Sequence, residues 1–175
     1  MAPSFDVQSI MDNKKNKIIY WMPLILIPVL VALDRCTKIW AETKLASVGD
    51  IRLIRGVLKL RYLENSGAAF GILKNNRILF LVFTVAVMAL IACFYIKYAA
   101  AGTIRPMHAV LVSMILAGAV GNFWDRAVRG TVTDFIYVEL IDFPVFNLAD
   151  VYITGACFAA VLLILKTAHD EKNTV

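Results

Sequence analysis

Between Arg77 and Lys97 the chain reads RILFLVFTVAVMALIACFYIK, with no charged residue between those two ends. A helix rises about 1.5 Å per residue, so this segment can cross the roughly 30 Å hydrocarbon core of a bilayer. Three more apolar blocks have the same character, at about 18–40, 104–124 and 149–166. The chain of 175 residues is 60% hydrophobic, with a mean hydropathy of +0.72. Soluble domains sit nearer half apolar. The expected fold is a membrane all-α bundle of four transmembrane helices with a small extracytoplasmic β-sheet. One membrane-embedded domain spans residues 14–167, between a disordered tail at 1–13 and a polar tail at 168–175.

Four spans place both termini on one side. Lys14, Lys15 and Lys17 precede the first block, and Lys97 and Lys166 close the second and fourth. This favours cytoplasmic termini, although the connection at 41–75 is also basic. No small-x-small cleavage site follows the first block, so it is read as a retained helix rather than a removed leader. Arg35 stands where a lipoprotein attachment site at Cys36 would need a small residue. The net charge of +5 suits anionic lipid headgroups, and no nucleic-acid motif is present. Cys36, Cys93 and Cys157 show no metal or redox spacing and are expected to be buried, inert thiols.

Two connections are more than loops. The β-rich connection at about 48–64 contains VLKLRYLE, which alternates apolar and charged residues, the period of a strand with one greasy face. Arg52, Arg55, Lys59 and Arg61 are expected to face lipid phosphates from its other side. TVTDFIYVE, after the third block, predicts another short strand. The sheet serves either to cap the bundle or to seat a substrate.

The chemistry narrows by elimination. His108 and His169 are the only histidines, and there is no HExxH, no GxSxG and no phosphate-binding glycine loop, so neither a zinc protease nor a serine hydrolase is expected. Carboxylates remain. Asp34 and Lys38 are four apart on a helix and can pair, which reads as an ion pair fixing helix depth. In NSGAAFG (65–71), the small residues permit close backbone approach and Asn65 offers an amide. GNFWDR (121–126) supplies Asn122, Asp125 and Arg126, with Asp125 read as structural. Asp134 and Asp150 have no basic neighbour in sequence, whereas Glu139 and Asp142 are expected to be solvated. Acids in so apolar a setting are costly unless paired, protonated or wet. If the loop folds back, Asp134 and Asp150 form a proton-sharing pair suited to general acid–base hydrolysis. The residues alone leave two alternatives open: proton-relay acids of a small transporter or export-complex subunit, and capping aspartates of a structural scaffold.

Taken in order, these stretches resemble the lipoprotein signal peptidases (signal peptidase II) of bacteria. The stretches are Asp34…Lys38, the Asn65 run, Gly121-Asn122-x-x-Asp125-Arg126, Gly130-x-Val-x-Asp134-Phe135 and Phe146-Asn147-x-Ala149-Asp150. The likeness covers about Leu33 to Val151. It implies a globomycin-sensitive aspartic endopeptidase of the bacterial cytoplasmic (inner) membrane. Such an enzyme cuts prolipoproteins just before a diacylglyceryl-modified cysteine, without metal or nucleotide. Asp134 and Asp150 would be the catalytic pair. Asn65, Asn122, Arg126, Asn147, Asp34 and Lys38 would support the site or bind substrate. The partners implied are the lipidated precursor and membrane lipid, with the chain acting as a monomer. Arg35 departs from the Gln expected there, outside the proposed chemistry.

Overall fold

The computed structural model describes residues 7–67 and 77–172. Helix α1 (Val7–Trp40) continues through a π-helical turn (Ala41–Leu45) into a last short turn, α2 (Ala46–Val48). Strands β1 (Ile51–Ile54) and β2 (Leu58–Asn65) follow, then helices α3 (Arg77–Ala100) and α4 (Pro106–Arg129). Strand β3 (Val132–Val138), a 3₁₀ turn (Glu139–Ile141) and helix α5 (Leu148–Lys172) complete the described chain. Among the described residues, four helices are long and apolar enough to cross a membrane.

The molecule is apolar outside and polar inside, the arrangement lipid favours. Leu79, Val82, Phe83 and Ile96 of α3 and Phe158, Ile164 and Leu165 of α5 are exposed, whereas Asp34, Lys38, Asn122, Asp125, Asp134 and Asn147 are buried. Polar groups are costly in hydrocarbon, so they turn inward and satisfy one another. The outward thiols follow the same rule. Cys36, Cys93 and Cys157 are free and exposed rather than buried as expected, because a thiol facing lipid forgoes little hydration.

Helix α4 is the central post. It buries Ala109, Ser113, Ala117, Gly118 and Gly121, and small residues let helix backbones approach closely without a hydrophobic drive between helices. A Cβ on Gly118 would lie 2.4 Å from the Ala149 carbonyl oxygen of α5, and one on Gly121 would lie 2.5 Å from Asp34 Oδ2 of α1.

The sheet is antiparallel in the order β1-β2-β3. It rests on the end of the first helix, where Ala41, Leu45 and Phe135 pack with Ile51, Leu60, Tyr62 and Ile136. The β2–β3 register slips between Leu60 and Leu63, so Leu60 faces Ile136 and Leu63 faces Asp134. Two basic residues expected to meet phosphates turn out to be engaged. Lys59 is buried, 3.0 Å from Glu139 and 3.4 Å from Asp50, and Arg61 is 2.8 Å from Asp50. Acids within reach at both ends of the sheet draw these cations back onto the protein. Glu139 is therefore paired rather than simply solvated. Asp142 is indeed exposed, although it accepts the Tyr137 hydroxyl.

Helices overrun the hydropathic blocks. Residues 7–13, expected as a disordered tail, lie in α1, and 168–172 lie in α5. No Pro or Gly interrupts either extension, and adding residues to an existing helix costs far less than starting one. The expected tail segments 1–6 and 173–175, and residues 68–71 of NSGAAFG, fall outside the described residues.

Gly121→Ala should lose about 1–3 kcal/mol, the range for overpacking a tight interior, because its Cβ would strike the Asp34 carboxylate. Thermal unfolding in detergent against the wild type checks this; an unchanged midpoint would contradict the close approach.

Candidate active site

Five elements converge at the sheet end of the bundle: the last turns of α1 and α4, the end of β2, β3, and the first turn of α5. At the base lies Lys38, its side chain 1% exposed, 2.8 Å from Asp34 Oδ2 and 2.9 Å from Asp125 Oδ2. Its third contact is Asn122 Oδ1 at 3.0 Å. An ammonium has three donors and no acceptor; here it donates to Asn122 and lies at ion-pair distance from two carboxylates. The expected Asp34–Lys38 pair exists. It lies within the bundle rather than at its rim, because Asp125 and Asn122 of α4 close around it.

Asp34 also reaches α5. Its Oδ1 accepts the Ala149 N–H at 3.0 Å, one of the free donors every helix start presents. The helix closes its own start as well. Asn147 Oδ1 accepts the Asp150 N–H at 3.0 Å, and Asp150 Oδ2 accepts the Asn147 N–H at 3.2 Å. This is a reciprocal capping box. With its oxygen committed there, the Asn147 amide nitrogen points across the site, donating to Asp134 Oδ1 at 2.7 Å and Asn122 Oδ1 at 3.1 Å.

The same logic orients two other asparagines. Asn65 Oδ1 accepts the Gly67 N–H at 3.0 Å, which leaves its Nδ2 donating to Asp134 Oδ2 at 2.9 Å. Asn122 Oδ1 is held by Lys38 and Asn147, which leaves its Nδ2 donating to Asp150 Oδ1 at 2.8 Å. Each oxygen of both aspartates thus receives one N–H. Asp134 and Asp150 line one cavity of about 670 Å³ with Asn65, Asn122 and Arg126. Apolar side chains, among them Val132, Phe143, Val145 and Phe146, also line it.

Asp134 is 2% exposed. Burial pushes its carboxyl up to about 6, and the Asp150 charge adds to the push, against the pull of the Asn65 and Asn147 amides. Arg126 lies with its guanidinium 4.7 Å from the Phe80 ring centre. It donates to the Gly67 carbonyl at 3.2 Å, tying the segment after β2 to α4.

The structure therefore gathers all eight expected residues. Asp34 and Lys38 lie beneath the aspartates rather than on the cavity wall. Arg35 is more involved than expected: it donates to Asp125 Oδ1 at 3.0 Å and lies 3.5 Å from Glu42. Arg129 donates to Asp125 at 2.7 Å and also pairs with Glu42. Sequence reasoning passed over Arg129, Glu42 and Thr133. Helical spacing gave one available signal, since Asp125–Arg129 is an i,i+4 pair. The capping role of Asn147 was also readable, in the N-x-x-D spacing of NLAD.

Comparisons with known proteins point to one family. A family model described as signal peptidase (SPase) II matches residues 26–168. A lipoprotein signal peptidase of Caldicellulosiruptor bescii is 37% identical over 153 residues, covering 87% of this chain and 95% of that protein. Another, of Brevibacillus brevis, is 42% identical over 146 residues, covering 83% and 93%. A solved bacterial membrane enzyme superposes with a TM-score of 0.74 at 29% identity, covering 85% of this chain and 90% of that one.

Lys38→Met should cost about 3–5 kcal/mol, because Asp34 and Asp125 would be left buried without their shared cation. Chemical or thermal unfolding in detergent measures the loss. A change under 1 kcal/mol would show that the two acids do not depend on it.

Proposed function

This chain belongs to the signal peptidase II family, a multi-pass membrane protease, and on that footing we propose that it is an aspartic endopeptidase using Asp134 and Asp150. Its substrate is a diacylglyceryl-modified prolipoprotein, cleaved just before the lipidated cysteine. The observation that supports this best is the joint position of the two carboxylates in one cavity, each oxygen braced by an N–H. The comparisons lend no support to a transporter.

The environments support distinct roles for the two acids. Asp134 is almost fully buried and its carboxyl is raised to about 6, so below that pH it carries the proton and hydrogen-bonds the scissile carbonyl. Asp150 is less buried and lies in the first turn of α5. It takes a proton from water as the water oxygen adds to the carbonyl carbon. The tetrahedral intermediate then collapses, the C–N bond breaks, and that proton passes to the departing amine. Both carboxyls return to their starting states. Asn65, Asn122 and Asn147 hold the acids, and Arg126 steadies the substrate backbone. Asp34 and Lys38 fix the floor.

The apolar cavity wall suits a lipidated segment. Beside it Leu140, Ile141 and Phe143 are exposed, as befits a sheet resting on the outer leaflet. The site lies at the membrane end opposite Lys97 and Lys166, which supports cytoplasmic termini and an extracytoplasmic site in the inner membrane.

Asp134→Asn and Asp150→Asn should each remain folded and lose on the order of 10³-fold or more in cleavage. The assay is purified protein on a diacylglyceryl-modified precursor, with the unlipidated precursor as control. Near-normal cleavage by either variant removes that residue from the mechanism, and equal cleavage of both precursors removes the lipid specificity.

The pH profile is a separate test. Loss of the Asp134 proton should lower kcat/KM above about pH 6, since this ratio reports ionisations of the free enzyme. Stability moves in the same direction. The folded carboxyl lies above its usual 3.8, so the folded state binds the proton more tightly and gains stability as pH falls from about 6 towards 4. A kcat/KM that stays flat between pH 5 and 8 would refute a protonated Asp134.

A further inference from the structure

Behind β3, on the side away from the cavity, lies a cluster that the mechanism does not use. Glu42 is carried by the π turn that follows α1. Its Oε1 accepts the Thr133 hydroxyl at 2.8 Å. Arg129 of α4 pairs with the same oxygen, and Arg35 lies 3.5 Å from it. Thr133 is 1% exposed and immediately precedes Asp134. Successive strand side chains point to opposite faces, so this contact grips the back of the strand whose front carries Asp134.

The grip matters because the ladder is irregular here. Pairing of β2 with β3 shifts register between Leu60 and Leu63, directly beside Asp134. A bulge of this kind loosens local pairing and increases twist. Backbone hydrogen bonds alone therefore leave the strand imperfectly registered at the residue that needs the most exact placement. The Asn65 and Asn147 amides hold the Asp134 carboxylate itself, but they act at the end of a side chain that the backbone must first deliver.

We infer that Glu42 is a positioning residue of the peptidase reaction, holding Thr133 so that β3 presents Asp134 to Asp150. Arg35 and Arg129 fix the rotamer of Glu42 and tie it to Asp125, which shares Lys38 with Asp34. The route from Glu42 to the reacting atoms runs through Thr133 and the strand, with no contact to substrate. The inference rests on the catalytic role proposed for Asp134. It gives Glu42 work through its acceptor oxygen, which glutamine also supplies, rather than through its charge.

The test measures kcat and KM of the purified full-length protein on a diacylglyceryl-modified precursor. The variants are Thr133→Val, Thr133→Ser, Glu42→Ala, Glu42→Gln and the double Thr133→Val/Glu42→Ala. A shift of about 1 Å at a reacting group costs on the order of 10²-fold. Thr133→Val and Glu42→Ala should therefore each lower kcat by roughly 10- to 100-fold, with KM within about twofold of wild type. Thr133→Ser and Glu42→Gln, which keep the donor and the acceptor, should restore most of the rate. The double variant should be no slower than the slower single one, because both remove one contact. Thermal unfolding accompanies each assay, and if Thr133→Val does not fold the Glu42 pair decides alone. Wild-type kcat in Glu42→Ala, losses that multiply in the double variant, or a change confined to KM would each overturn the inference. If the wild type cleaves no faster than Asp134→Asn, the peptidase reading itself fails; if it cleaves faster and Glu42→Ala matches it, only the positioning role fails.

Discussion

The arrangement depends on one buried cation. Lys38 could not lie unpaired inside a bundle that faces lipid, since burying a lone charge costs several kcal/mol or more. Asp34, Asp125 and Asn122 satisfy it, and each partner then becomes a fixed point for something else. Asp34 takes the Ala149 N–H and sets where α5 starts. Asn122, with its oxygen held, presents its amide to Asp150. Asp125 collects Arg35 and Arg129. Counted together, three cations (Arg35, Lys38, Arg129) face three anions (Asp34, Glu42, Asp125), so the cluster carries no net charge into the membrane. Ion pairs of this kind contribute little stability over an apolar substitute. Their use here is to fix the rotation and depth of α1 against α4, whose own buried face is lined with small residues.

Asparagine extends that order to the aspartates. An amide has an acceptor end and a donor end, so anchoring the oxygen decides where the N–H groups point. The anchor differs each time: the turn at Gly67 for Asn65, the Lys38 ammonium for Asn122, and the α5 cap for Asn147. The result is the same, a donor aimed at a carboxylate.

Much of this was legible in the sequence, and the rest was illegible for physical reasons. Hydropathy located four spans because lipid imposes length and apolarity directly. Period-two alternation located the strands. What hydropathy missed were the helix ends, since Asp125, Arg126 and Arg129 sit on α4 beyond the apolar block while remaining helical. The loop between β3 and α5 gave no sign that it would fold Asp150 back to Asp134, and the family resemblance supplied that expectation where pattern left three readings open. Lys59 looked like a phosphate ligand because its alternation was clear, but its counter-charges Asp50 and Glu139 lie on other segments. Arg35 looked incidental for the same reason: its partner, Asp125, is 90 positions away. Cross-chain pairing is the information that a one-dimensional reading lacks.

The division of labour proposed for the two aspartates rests on the elements that carry them. Asp150 sits in the first turn of α5, partly exposed, where its carboxylate accepts the Asn147 N–H and the Asn122 amide. Asp134 sits on β3 and is buried along with its neighbours Val132, Thr133 and Phe135. Two identical side chains brought to one cavity would otherwise compete for the proton on equal terms. Burial on the strand raises the Asp134 carboxyl, and the proposed mechanism draws on that difference. This is the condition general acid–base chemistry needs from a matched pair. The strand buries its acid, and the helix start leaves its acid partly exposed. The mixed sheet-and-helix end of an otherwise helical membrane protein supplies one of each.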